Sequence, residues 1–320
     1  MCSAGRTRST PACRPTDRGR SFHAWPGDVT SIARPRGASR SVRCGKAFGR
    51  GSVSPVTATP EPPPPHVRAA FGARVEEPEL LDGAVAWRCG DVVLKPAANT
   101  AEAAWVAQTL DVLEADDVRV SRPVRSTDGR WVVAGWSASR DLAGRPEPRH
   151  DEVVAMSLRL HAASRFLARP RFLATRQDIY ALADRMAWGE EEYPLQSDKG
   201  GRLYDVLAAS RRKVELRPQV VHGDLFGNVL FAGNAPPGII DFSPYWRPAE
   251  WASAVVVIDA LAWGGSDPAI VERWSHLSEW PQALLRALLF RLAVHALHPR
   301  STTASLGGLE HASQMVLEVL

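Results

Sequence analysis

Three oxygen-bearing side chains are spaced as phosphoryl chemistry would require. In Val220-Val221-His222-Gly223-Asp224-Leu225-Phe226-Gly227-Asn228-Val229-Leu230-Phe231 an apolar, strand-like run enters a polar loop and a second apolar run leaves it. The loop presents Asp224 and Asn228 four residues apart, and a further carboxylate, Asp241, ends the apolar run Ile239-Ile240 and precedes Phe242-Ser243. Two loops joined by a hairpin would gather Asp, Asn and Asp around one small volume. Phosphoryl transfer needs positioning and charge neutralisation more than covalent chemistry. A carboxylate takes a hydroxyl proton, while a second carboxylate and an amide oxygen hold Mg²⁺ on a triphosphate. Hard oxygen ligands without Cys or paired His favour Mg²⁺ over Zn²⁺.

The elements that must position these groups follow from periodicity and punctuation. Segments 84–89 and 91–95, joined at Gly90, predict a β-hairpin. Asn99 or Thr100 caps a helix from Ala101 to about Ala115, with Ala103, Ala104, Val106, Leu110 and Leu113 on its apolar face. Strands follow at Val118–Val124 and Trp131–Trp136, with Asp128-Gly129 as the turn between them. From about Glu147 the pattern turns helical, over 151–166, 175–188 and 203–216. A β-rich insert at 219–240 carries the candidate loops, and helices resume at 249–263 and 281–297. The expected class is α+β and two-lobed: a small β-rich lobe over 66–137, and a larger, mainly helical lobe over 138–320.

Charge narrows the function classes. The 320 residues carry a net charge of +4 and a pI near 9.1, which invites a nucleic-acid reading. Residues 1–65, however, hold eleven basic and three acidic side chains, leaving 28 basic against 32 acidic in the remainder. The body is mildly acidic and offers no basic stripe, so no nucleic-acid partner is expected. Residues 1–65 are also rich in Arg, Ser, Pro and Gly, and cannot bury enough apolar surface to offset their ordering entropy. Two readings stay open for them, a disordered basic tail or a translation start near residues 55–66. Cys2, Cys13 and Cys44 lie in that tail and Cys89 is alone in the body, which fits a reducing cytoplasm. The most apolar stretch, 283–297, is interrupted by Arg286, Arg291 and His295, so it predicts a core helix and no membrane partner.

The loop His222-Gly223-Asp224-Leu225, continuing through Gly227-Asn228 and paired with Ile239-Ile240-Asp241, resembles the catalytic segments of the aminoglycoside phosphotransferase/choline kinase superfamily, relatives of protein kinases. The resemblance covers roughly residues 70–300. It implies a two-lobed kinase fold and an ATP- and Mg²⁺-dependent transfer of phosphate to a hydroxyl of a small molecule such as an aminoglycoside, choline or sugar. It makes Asp224 the catalytic base and Asn228 and Asp241 the metal ligands, with His222 bracing the loop. The family usually places four residues between that Asp and Asn. Here there are three, and Gly227 can absorb the shortening through a positive φ. Val92-Val93-Leu94-Lys95-Pro96 resembles the strand whose lysine orients ATP, and Glu102 stands where a helix-borne glutamate should pair with Lys95. Leu81-Asp82-Gly83-Ala84 matches the phosphate loop with one glycine, and Trp131–Ser137 resembles the interlobe hinge, putting the backbone of Gly135 and Trp136 on adenine.

Other residues carry less chemistry. Asp259, an acid inside an apolar helix, needs a partner, and the resemblance implies that it anchors the catalytic-loop backbone. His161 is read as a satisfied core histidine. Pro244-Tyr245-Trp246-Arg247-Pro248 should lie on the acceptor side and mainly pack, and Glu190-Glu191-Glu192 is read as a solvated run before it is read as a cation trap. Two alternatives keep the fold: a catalytically silent nucleotide-binding scaffold, and a transferase of AMP to protein.

Overall fold

The computed structural model describes residues 61–73, 77–81 and 85–320. Most of the basic tail and of the one-glycine phosphate loop therefore lies outside the described residues.

The small lobe opens with α1 (Pro65–Ala70), then β1 (Glu79–Leu80), β2 (Trp87–Cys89) and β3 (Val92–Pro96). Gly90, at φ 68°, turns β2 into β3 as the sequence predicts. Asn99 caps α2 (Thr100–Val112) by accepting the backbone N–H groups of Ala101 and Glu102 at 3.1 and 3.2 Å. After β4 (Arg119–Val120) come β5 (Val132–Val133) and β6 (Trp136–Arg140). The five-stranded sheet runs β1-β2-β3-β6-β5, so β3 is central and Lys95 lies opposite Ser137.

One pairing differs from expectation. The strands joined in a hairpin are β5 and β6, and their two-residue turn is Ala134-Gly135, with φ of 49° and 78°. Both values are positive, as a type I′ hairpin turn requires. Alanine rarely adopts such a φ, so the sequence reads as an uninterrupted strand there. Asp128-Gly129 does form a turn, closed by the Gly129 N–H on the Ser126 carbonyl at 2.8 Å, but β4 pairs in parallel with a strand of the other lobe.

The large lobe contains α3 (His150–Ser164), α4 (Ile179–Trp188) and α5 (Gly201–Ala208). It continues with β7 (Gln219–His222), β8 (Val229–Leu230), β9 (Gly238–Ile239) and β10 (Pro244–Arg247), then α6 (Ala249–Ala262), α7 (Ile270–Arg273), α8 (Trp280–Leu297) and α9 (Thr303–Leu317). Helix α5 stops earlier than its apolar pattern suggests, and Arg211 caps it by donating Nε to the Ala208 carbonyl at 3.1 Å. Strand β10 and helices α7 and α9 were not anticipated.

Two small sheets support the candidate loops. β7 pairs antiparallel with β10, and β9 lies between β4 and β8. Arg119 locks the second sheet to the interlobe connection, donating to the carbonyls of Pro236 (2.6 Å), Ala143 (3.0 Å) and Leu230 (3.3 Å). Below them, α6 is buried on every side from Trp251 to Leu261, as expected of a helix that is apolar all round. It packs on α3, α8 and α9. Among the described residues no helix is long and apolar enough to cross a membrane. Because Asn99 satisfies two otherwise unpaired donors of α2, Asn99→Ala is expected to lower stability by about 1 kcal/mol in urea unfolding.

Candidate active site

Backbone pairing brings the two predicted loops together. His222 is opposite Pro244 in β7–β10, the Gly223 N–H donates to the Ser243 carbonyl at 3.0 Å, and Val229 is opposite Ile239 in β8–β9. The Ile240 N–H reaches the Asn228 carbonyl at 3.0 Å, which sets Asn228 beside the strand end that carries Asp241. Gly227 takes φ 80°, the conformation that lets a loop with three intervening residues close. A Cβ on Gly223 would run into the Tyr245 ring, itself packed edge-on against Trp251 and Phe290, so a side chain has no room there.

His222 is fully buried and ties both loops. Its Nδ1 accepts the N–H of Asp224 (3.2 Å) and of Ser243 (3.5 Å), and Nε2 faces the Ile240 carbonyl at 3.4 Å. That pattern requires the neutral ring with its proton on Nε2, and burial lowers the pKa accordingly. His161 continues the network: Nε2 accepts the His222 N–H at 2.9 Å, Nδ1 meets Ser157 Oγ at 3.2 Å, and Ser157 meets Ser253 at 3.1 Å. It is the satisfied core histidine that the sequence suggested, with burial and then the neighbouring His222 driving its pKa down to about 3.

Asp224 Oδ1 accepts from Arg291 Nη2 at 2.8 Å. Asn228 gives its amide N–H to the Asp224 carbonyl at 2.7 Å and, more loosely, to Oδ2 at 3.4 Å. Asn228 Oδ1 takes no part in either contact. Asp241 adopts φ 49° and forms an ion pair through Oδ1 with the Lys95 ammonium, reaching across from β3. Desolvation at the cleft works against the Asp241 charge, but Lys95 outweighs it and holds the carboxyl below its ordinary range. Asn228 Oδ1 and the second Asp241 oxygen are hard donors of the kind Mg²⁺ takes, so the residues present fit that ion.

Three expectations need correction. Glu102 does not pair with Lys95. Its carboxylate lies 3.8 Å from Arg176, which also binds Asp178 at 3.0 Å, and burial raises the Glu102 pKa against the pull of Arg176. Gly135 and Trp136 do not form the interlobe connection, which follows β6 from residue 141 onward. Gly135 sits in the β5–β6 turn, its carbonyl accepting the Ala97 N–H at 2.7 Å, and Trp136 packs on the small-lobe core beside Val67, Phe71 and Val133. Asp259 does not bind the loop backbone. It is 1% exposed and grips Arg291, with Nε on Oδ1 at 2.7 Å and Nη2 on Oδ2. Burial pushes Asp259 up to about 6 while Arg291 pulls it down.

Arg291 and Arg176 are the residues that sequence reasoning passed over. Arg291 stands between Phe290 and Leu292 in an apolar helix and Arg176 lies just ahead of α4, and neither position reveals its distant partners. The acidic run is largely exposed, as expected, but two of its members also form ion pairs. Glu190 and Glu191 bind Arg247 and Arg185, each at 2.6 Å, and Asp184 also binds Arg247, at 2.8 Å. These pairs border a cleft of about 700 Å³ that Arg176, Tyr245, Trp246 and Arg247 help to line. Neither Asp224 nor Asp241 lines it.

Residues 85–245 match the model of a phosphotransferase enzyme family. The chain belongs to that family. Among proteins of curated function none matches the sequence. The fold is similar to that of the spectinomycin phosphotransferase APH(9)-Ia in an AMP-bound complex, at 11% identity, with 79% of this chain and 96% of that one covered and a TM-score of 0.53. It is equally similar to the amicoumacin kinase hAmiN in complex with AMP-PNP, Ca²⁺ and Ami, at 14% identity, 79% and 92% coverage and a TM-score of 0.53. The two-lobed kinase-like architecture of this family member is thus shared with solved phosphotransferases.

The depressed His161 titration has a sign. An unfolded histidine binds its proton near 6.5 and the folded one near 3, so between these values the unfolded state holds more protons. Stability therefore falls as pH drops through that window, by up to about 1.4 kcal/mol per unit from this group. Urea unfolding at several values between about pH 5 and pH 7 is expected to show a slope that His161→Asn reduces by one proton's worth.

Proposed function

We propose that the protein transfers the γ-phosphoryl group of ATP to a hydroxyl of a small molecule. The observation that carries this reading is the Lys95–Asp241 ion pair, which brings the small-lobe sheet to the loop that also holds Asp224 and Asn228. In this reading Asp224 is the base. It accepts the hydroxyl proton as the oxygen attacks the γ-phosphorus, and the bond from phosphorus to the β-phosphate bridging oxygen breaks with ADP leaving. Lys95 orients the phosphates, sharing its ammonium between them and Asp241. Asn228 and Asp241 would hold Mg²⁺, which would neutralise phosphate charge. His222 fixes the loop from beneath. Glu102 supports Lys95 only as a nearby charge, since its direct partner is Arg176.

Backbone groups of the connector after β6 are the counterpart of the segment expected at Gly135 and Trp136, and so the proposed support for adenine. The acceptor approaches from the large lobe, on the side of β10 and the cleft beside it. Glu190 and Asp184 share Arg247 and Glu191 pairs with Arg185, so most of this acidic charge already has an arginine beside it and gives a cationic acceptor little support.

The test is ATP turnover with Mg²⁺ against a panel of hydroxyl compounds. Asp224→Ala and Asp241→Ala are each expected to lose about 10²-fold or more, as loss of a positioned base or metal ligand does, and chelation of the metal should abolish turnover. Equal turnover in wild type and both variants would sink the mechanism. Nucleotide-dependent thermal stabilisation with no turnover by wild type would favour the silent scaffold instead.

A further inference from the structure

Arg291 lies on α8 with a side chain only 7% exposed, and one guanidinium serves two carboxylates. Nε and Nη2 engage Asp259, which is buried, and Nη2 also donates to Asp224 Oδ1 at 2.8 Å. A buried cation needs a counter-charge, and Asp259 alone supplies it. The contact to Asp224 is therefore surplus to neutralising Arg291, and its consequence falls on Asp224. With Oδ1 held by Arg291 and the backbone held by His222 and Asn228, the Asp224 carboxyl cannot rotate freely. Oδ2, which the Asn228 Nδ2 group approaches only to 3.4 Å, is the less engaged of the two oxygens.

We propose that Arg291 is the positioning residue for Asp224, and that Asp259 acts on the reaction through Arg291 by fixing its fork. The inference rests on Asp224 being the base of the phosphotransferase reading above. Bidentate geometry is what makes the arrangement work, because a planar guanidinium can hold one carboxylate rigidly while presenting a further N–H to another. A lysine at 291 would keep the charge and lose the fork.

Two variants separate positioning from folding. The double replacement Arg291→Met with Asp259→Leu removes both buried charges and refills the space with apolar atoms, a change that commonly preserves stability. Arg291→Lys keeps Asp259 neutralised. Both are expected to keep the thermal midpoint within a few degrees of wild type and the KM for ATP within about twofold, while kcat for MgATP with water or a hydroxyl compound as acceptor falls about 100-fold. Wild-type kcat in a folded double variant would overturn the proposal and leave Arg291 a stability residue.

Crystal structures with Mg²⁺ and AMP-PNP probe the same contact without turnover. The Asp224 carboxyl is expected to rotate or become disordered in both variants, and an unchanged carboxyl in both would overturn the proposal. If wild type binds AMP-PNP but turns over no ATP, the phosphotransferase reading fails, and the position of Asp224 in these structures still decides the role of Arg291.

Discussion

Charge must be delivered to the floor of a cleft whose foundation is almost wholly apolar. Helices α6 and α8 are buried along most of their lengths, yet they carry Asp259 and Arg291 to the same point. An isolated ion there would be prohibitively desolvated, so the two helices must pack in the register that joins the pair. Since Arg291 also reaches Asp224, the same register sets where the loop above can sit. The polar chain from Ser253 through Ser157 and His161 to the His222 backbone plays the neutral counterpart, linking α6 and α3 to the end of β7. Core and loop are thus one construction: moving either helix would strand a buried polar group, and such groups cost far more unpaired than they return when paired.

The loops gain the rest of their definition from short sheets. Four strands of two to four residues, β7 to β10, would not be stable alone; each is held by a neighbour already fixed to the helices. At Asp241 the chain leaves regular strand geometry for φ 49°, a conformation that aspartate tolerates better than most side chains. Hydrogen bonds on either side, from Ile240 to Asn228 and from Gly223 to Ser243, determine that turn, and it aims the carboxylate at Lys95.

How much of this was legible in the sequence depends on the range of the interaction. That Asp224, Asn228 and Asp241 come together could be read because their loops are local and joined by short strands. The capping of α2 by Asn99 and the closure of the shortened loop at Gly227 are local as well. The β5–β6 hairpin escaped because Ala134 takes a φ that alanine seldom adopts, which displaced the expected adenine segment from the connector to Gly135 and Trp136. Arg291 escaped for a different reason. Its partners are 32 and 67 residues away in the chain, so nothing local distinguishes it from an interruption in an apolar helix. Glu102 shows the same limit from the other side: its position on α2 was right, and its partner was decided by Arg176, on a segment whose approach no local pattern encodes.

The ionic contacts that Lys95 and Glu102 make with the large lobe differ in kind. The Lys95 and Asp241 side chains are 35% and 41% exposed, so water competes for both and separating them costs little. The Arg176 side chain is 10% exposed and that of Glu102 24%, and Arg176 is further held by Asp178, by the Pro244 carbonyl at 3.1 Å and by the face of Tyr245. Breaking that contact would leave the partly buried Glu102 carboxylate without its ion-pair partner, while Arg176 keeps Asp178 and the Pro244 carbonyl. The approach of α2 to the large lobe is therefore set by the buried contact, while Lys95 stays free to redistribute its donors at small cost. In the proposed reaction Lys95 shares its ammonium between Asp241 and the phosphates, and an exposed tie makes that redistribution cheap. Glu102, which the resemblance pairs with Lys95, instead lies beside Arg176 of the large lobe.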